Sequence, residues 1–146
     1  MRAPSWLISA ALSLVFPEPC LACGVAEDRG VGLCDSCEAK ISNHLLPFPS
    51  PDLIRSAWAL GSYGGPLGEL VRVGKYAGRP HVFEFLGRRL AEASLGRLPP
   101  VDVVCGVPSH WFRRFCRGFE PTELLVRPVS IRTKLPIVSL IPQGRR

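Results

Sequence analysis

Residues 20–37 read Cys20-Leu21-Ala22-Cys23-Gly24-Val25-Ala26-Glu27-Asp28-Arg29-Gly30-Val31-Gly32-Leu33-Cys34-Asp35-Ser36-Cys37, and the spacing of the four cysteines decides how the front of the chain folds. Each pair has two residues between its sulfurs, and ten residues separate one pair from the other. A CxxC turn aims two thiolates at one centre, and two such knuckles complete the tetrahedron that zinc prefers. Gly24 suits the left-handed backbone that a knuckle tends to need. Glu27, Asp28, Gly30 and Gly32 give the connection the polar, flexible composition of a hairpin tip. Disulfides, an iron–sulfur cluster and a redox-active pair are the alternatives. Disulfides need an oxidising compartment, which the leading segment does not indicate. A thioredoxin-like motif has one pair and lies between a strand and a helix, whereas an iron–sulfur cluster takes the same four thiolates and stays open as a reading. A closed four-thiolate zinc site stabilises a module too small for its own core and does not activate water.

Upstream, Trp6, Leu7, Ala10, Ala11, Leu14 and Val15 repeat at helical spacing, and Pro17 with Pro19 ends the pattern. Residues 1–16 are therefore expected to form an amphipathic leader helix rather than a signal peptide, because no small-residue cleavage site follows. The run is too short for a transmembrane span, so a cytoplasmic location is expected. Composition agrees with a folded chain. Of the 146 residues, 47% are hydrophobic and 21% charged, which excludes wholesale disorder. The formal charge of +6 points to anionic partners such as phosphorylated metabolites, nucleic acid or a membrane surface, without choosing among them.

Residues 17–46 read as the ribbon module that holds the cysteines, with a short helix downstream of them over Glu38–Leu46. Residues 47–56, containing Pro47-Phe48-Pro49-Ser50-Pro51, read as a stiff linker. Residues 57–146 form the second unit. It opens with a strand from Ala57 to Tyr63, followed by a helix that Pro66 starts and Gly74 ends. A basic turn, Lys75-Tyr76-Ala77-Gly78-Arg79, leads to a helix from about His81 to Leu95 that buries Val82, Leu86, Leu90 and Ala93. Val101 to Val107 reads as a buried parallel strand. Thr122 to Val126 allows only a brief helix before Pro128, and Leu135 to Ile141 reads as a last strand. Strands alternating with helices define an α/β class with a parallel sheet, whose ligands sit beyond the strand carboxyl ends. That places the ligand loop at Pro108-Ser109-His110-Trp111-Phe112-Arg113-Arg114-Phe115-Cys116-Arg117-Gly118-Phe119.

With the knuckles, the GSYGGPLGELVRVGKYAG segment and VDVVCGVPSHWFRRFCRGFEPTELL in this order, the chain resembles the ComF family of competence-associated proteins from about Leu7 to Val126. The resemblance implies a zinc ribbon followed by a Rossmann-like type I phosphoribosyltransferase domain that recognises a phosphoribosyl pyrophosphate-like ligand. It also implies a role in DNA uptake or nucleotide salvage. Two departures follow. Glu120-Pro121 stands where the family continues Arg-Gly-Phe with Asn and Gln, which puts a carboxylate in a phosphate lip. The family's later acidic-Thr-Thr-Gly segment, which holds ribose and the 5-phosphate, has no counterpart here, so the transferase domain is expected to be incomplete and impaired in catalysis.

Half of the transfer chemistry is readable. Lys75, Ser109, Arg113, Arg114, Arg117 and Gly118 are the candidate phosphate-binding residues, with backbone amides near Gly106 to Ser109, because guanidinium forks match phosphate oxygens. No catalytic residue is assigned. His110 reads as a packing or phosphate-contacting residue, Cys116 as an ordinary thiol among arginines, and Cys105 as a small core residue. Trp111, Phe112, Phe115 and Phe119 read as packing residues first and as base-stacking residues second. Two rival readings stand beside the first. One is a binding module for single-stranded DNA or a protein of the competence machinery. The other is a shortened gene product whose unfinished sheet requires dimerisation or another chain.

Overall fold

The computed structural model describes residues 19–25, 32–41, 45–49, 52 and 54–140. The expected leader helix of residues 1–16, the hairpin tip at Glu27, Asp28 and Gly30, and Ser50, Pro51 and Ile141 lie outside them. The described elements are α1 (Asp35–Glu38), β1 (Leu46–Phe48), β2 (Ala57–Ala59), α2 (Gly65–Tyr76), α3 (His81–Ser94), α4 (Trp111–Arg117) and α5 (Pro121–Thr133). The class is mixed helix and strand, with helix dominant.

Pro66 near the amino end of α2 has the preset φ and absent donor that suit a first turn, as its position suggests. The helix runs past Gly74 to Tyr76, so the basic turn begins as a last helical turn carrying Lys75. α3 buries Val82, Phe83, Leu86, Ala91 and Ala93 along one face, the periodicity expected of a helix half in water. Ile41, Leu70, Val82 and Leu86 make the main core cluster, and Leu21, Ala22 and Leu33 of the cysteine module pack against it. Glu38 on α1 pairs with Arg89 on α3 across the same seam. The cysteine module is thus seated on α2 and α3 by apolar contact as well as by its connection.

Three stretches take a form other than the expected one. The stretch read as a short helix and stiff linker contains β1, which pairs antiparallel with β2 in the register Leu46↔Ala59, Pro47↔Trp58 and Phe48↔Ala57. A two-stranded edge accommodates Pro47, whose missing donor would break a central strand. Val101–Val107 is not a buried strand. Val104 makes one isolated parallel bridge to Ile137, through Val104 N to Pro136 O at 2.9 Å and Val138 N to Val104 O at 2.9 Å. Val101, Val103, Cys105 and Val107 are all exposed, while Gly106 between them lies against Thr122 of α5. α5 does not stop before Pro128 but continues to Thr133 with the proline inside it.

The reason lies in how α5 meets α3. A Cβ placed on Gly87 would lie 2.9 Å from the carbonyl oxygens of both Leu124 and Leu125, so only glycine admits this approach of the two helices. The Leu124 carbonyl is the one whose helical donor Pro128 cannot supply, four residues on. Packing at Gly87 and burial of Val129 therefore hold the helix through the position where local preference would end it.

Candidate metal centre and basic pocket

Gly24 takes φ 75, and the first knuckle closes through Gly24 N to Cys20 O at 2.8 Å and Cys20 N to Val25 O at 2.7 Å. The second closes where α1 begins, with Glu38 N donating to Cys34 O at 2.8 Å. Leu21 N donates to Gly32 O at 2.7 Å, which brings the two knuckles face to face. The four sulfurs of Cys20, Cys23, Cys34 and Cys37 then lie within 4.8 Å of one another. Cys23 Sγ is 3.6 Å from Cys34 Sγ. A tetrahedron with metal–sulfur bonds of about 2.3 Å has sulfur–sulfur edges of about 3.8 Å, so the set is positioned to hold a metal ion and is compatible with zinc. All four are free thiols, with Cys20, Cys34 and Cys37 buried and Cys23 exposed.

Without a cation, four adjacent thiols share their charge unequally. Burial pushes Cys20 up, but amides of Cys34, Cys23 and Ala22 outweigh it and bring that thiol down to about 6. Burial, together with the neighbouring sulfurs, pushes Cys37 up to about 12. The first ionised sulfur makes the others harder to ionise, and a divalent cation relieves that opposition.

The second site lies at the carboxyl end of α2 beside α4. Lys75, Tyr76, Ser109, His110, Arg113, Cys116 and Arg117 line a cavity of about 410 Å³. Arg117 Nε donates to Lys75 O at 3.0 Å, tying α4 to the end of α2. His110 caps α4 by accepting from Phe112 N at 3.3 Å, and Gly118 ends it in the left-handed conformation. Three cations thus border one cavity whose lining contains no carboxylate. Arg114 stands apart from them and pairs with Glu123 at 3.6 Å.

The loop read as a ligand loop contains a helix, and none of its seven residues from Trp111 to Arg117 is buried. Trp111, Phe112 and Phe115 are 72%, 55% and 81% exposed, which corrects their assignment to packing. Phe119 does pack, with its ring 6.1 Å from that of Phe83 and under the Arg117 guanidinium. Cys105 is exposed rather than a core residue, because the strand that would have buried it is absent from the described residues.

Glu120 also departs from its expected place. Its carboxylate does not face the cavity as a repulsive lip but is buried, 4% exposed, behind Ser109. Ser109 Oγ donates to it at 2.8 Å and Ser109 N at 3.1 Å, while Thr122 Oγ1 donates at 3.1 Å. Burial pushes its pKa up, but these hydrogen bonds and the amide of Thr122 more than offset that, and it lies below the ordinary carboxylate range. Sequence reading missed this role. The signal was an acidic residue immediately before a proline at the start of a helix, a helix-cap position.

The two sites define a class: a four-cysteine module seated on a helical layer that carries a cationic pocket. Among the described residues, no helix is long and apolar enough to cross a membrane. The chain is similar to the DNA utilization protein YhgH of Salmonella typhi, 29% identical over 135 residues that cover 86% of this chain and 59% of that protein. It is also similar to the DNA utilization protein YhgH of Salmonella typhimurium, 28% identical over 135 residues with the same coverage. The chain therefore spans about 59% of the length of the curated relatives it matches. No family model and no solved structure matches it.

Proposed function

We propose that this chain is a ComF-like, phosphoribosyltransferase-related protein of DNA utilization that acts in the cytoplasm, carries structural zinc on Cys20, Cys23, Cys34 and Cys37, and binds phosphate-bearing ligands without turning them over. The observation that carries the reading is the convergence of Lys75, Arg113 and Arg117 on one cavity with no acid in its wall. Guanidinium forks and an ammonium group meet the oxygens of a diphosphate well, and no carboxylate lines the cavity to compete for them. A diphosphate, alone or as part of phosphoribosyl pyrophosphate, is the small ligand that fits. Transfer of the phosphoribosyl group needs a second element, acids that hold the ribose while positive charge develops at its anomeric carbon. The sequence's aspartates are Asp28, Asp35, Asp52 and Asp102; only Asp28 adjoins another acid, Glu27, and that pair is not followed by a Thr-Gly segment.

The exposed rings of Trp111, Phe112 and Phe115 beside the cavity favour a second reading, in which single-stranded DNA lays its phosphates over the cations and its bases against the rings. The names of the relatives agree with either ligand.

Titration of the zinc-loaded chain with inorganic pyrophosphate and with a labelled oligonucleotide separates these readings. If three phosphates are neutralised, affinity for the oligonucleotide falls about twenty-fold between 50 and 200 mM salt, taking the single-strand slope of about 0.7 per phosphate. The double substitution Arg113→Ala, Arg117→Ala abolishes binding of both ligands on this proposal. Salt-independent binding, or full affinity in the double variant, refutes it. Measurable release of pyrophosphate from phosphoribosyl pyrophosphate and a free base refutes the non-catalytic part.

A further inference from the structure

We propose that Glu120 is the positioning residue of the basic pocket, a buried carboxylate that holds the arginine-bearing helix α4 in place from behind; the inference rests on the anion-binding reading above. α4 has no buried residue, so packing along its length does not set its position. Its position is set at its ends. At one end Arg117 Nε reaches Lys75 O. Behind both ends stands Glu120. Its Oε2 accepts from Ser109 N at 3.1 Å, and its Oε1 accepts from Ser109 Oγ at 2.8 Å and from Thr122 Oγ1 at 3.1 Å. Ser109 precedes α4 and Glu120 follows it, eleven residues on. One side chain therefore closes the segment into a loop and joins that loop to the first turn of α5, where it also caps Thr122 N.

Only a charged acceptor suits this place. Four donors converge on two oxygens that are out of water, and hydrogen bonds to an ionised acceptor are about twice as strong as neutral ones. The direction of the effect on ligand binding is unusual for that reason. Judged by charge alone, a carboxylate behind a cationic pocket weakens anion binding, and its removal strengthens it. As the tie that keeps Arg113 and Arg117 facing Lys75, it strengthens anion binding, and its removal weakens it. The two roles predict opposite signs.

The test is pyrophosphate titration of the zinc-loaded full chain beside Glu120→Ala, Glu120→Gln and Thr122→Val, with amide hydrogen exchange followed over residues 109–118. Loss of the tie in Glu120→Ala lowers pyrophosphate affinity about tenfold, the effect of leaving buried donors unpaired. Glu120→Gln recovers part of it, since the carboxamide oxygen still accepts from Ser109. Thr122→Val, which does not line the cavity and keeps the side-chain shape, lowers affinity about twofold. Exchange over 109–118 accelerates in the same order while α3 stays protected. Unchanged or tighter pyrophosphate binding in Glu120→Ala overturns the proposal, and if that variant fails to fold, unchanged binding in Thr122→Val does so. If the wild-type chain binds no pyrophosphate, the functional reading fails on its own, and exchange decides the present one: equal rates over 109–118 in wild type and variants overturn it.

Discussion

Replacing Gly87 by alanine sets helix propensity against packing, and the structure says which wins. In the interior of an exposed helix the change is favourable by about 1 kcal/mol. At Gly87 the new Cβ would sit 2.9 Å from the Leu124 and Leu125 carbonyl oxygens and 3.1 Å from Leu125 Cα, where ordinary contact begins at 3.4 Å. All three obstacles are backbone, so no rotamer change relieves them, and α5 must shift as a unit. Overpacking of this kind costs about 1–3 kcal/mol, with rigid obstacles at the upper end. The net expectation is a loss of about 2 kcal/mol, which for a chain of this size lowers the melting temperature by about 6 °C. Thermal unfolding of the zinc-loaded Gly87→Ala chain, followed by far-ultraviolet circular dichroism, measures it. A melting temperature above that of wild type, as propensity alone requires, would refute the account of how α3 and α5 meet.

Two further expectations concern the sites. Structural zinc contributes about 10–16 kcal/mol of apparent binding free energy in small zinc modules, comparable to the whole stability of a domain. Strong chelator is therefore expected to unfold the knuckles and uncover Ile41, Leu70, Val82 and Leu86, which Leu21 and Leu33 help to cover. Metal analysis should find one zinc per chain and a dye for apolar surface should bind on chelation; iron in place of zinc, or an unchanged fold, contradicts this. Glu120 has a pKa below its ordinary value of 4.5, so its ionised form contributes stability that is fully present above that value. The contribution is lost as pH falls through the lowered folded value. The stability advantage of wild type over Glu120→Gln should therefore shrink below about pH 4.5. An advantage that grows toward acid would contradict the hydrogen-bonded arrangement.

What was readable in the sequence was what depends on neighbours along the chain. Two residues between cysteines, a glycine after Cys23 and a proline at the start of α2 each act within one turn, and each stands where its local chemistry places it. The apolar stripe of α3 is likewise a property of a single helix. The misreadings all needed a partner from far away. Pro128 breaks a helix in isolation, but not one that α3 holds through Gly87. Val101–Val107 has the apolar content of a buried strand, yet burial needs covering elements, and among the described residues only the Pro136–Val138 stretch pairs with it. Glu120 was read from the charges beside it, while its position is set by donors on Ser109 and Thr122. Lys75, Arg113 and Arg117, by contrast, were grouped in the sequence as phosphate-binding candidates although some forty residues apart, and they line one cavity.

The single parallel bridge between Val104 and Ile137 has a bearing on how the molecule behaves in solution. Val103, Val107, Val138 and Leu140 stand open to water around two hydrogen bonds. Mutual repulsion from a formal charge of +6 keeps such corners on different molecules from meeting, and added electrolyte weakens that repulsion over about 10 Å at 0.1 M. Ionic strength then bears on colloidal stability through this corner, as it does through the exposed rings of α4.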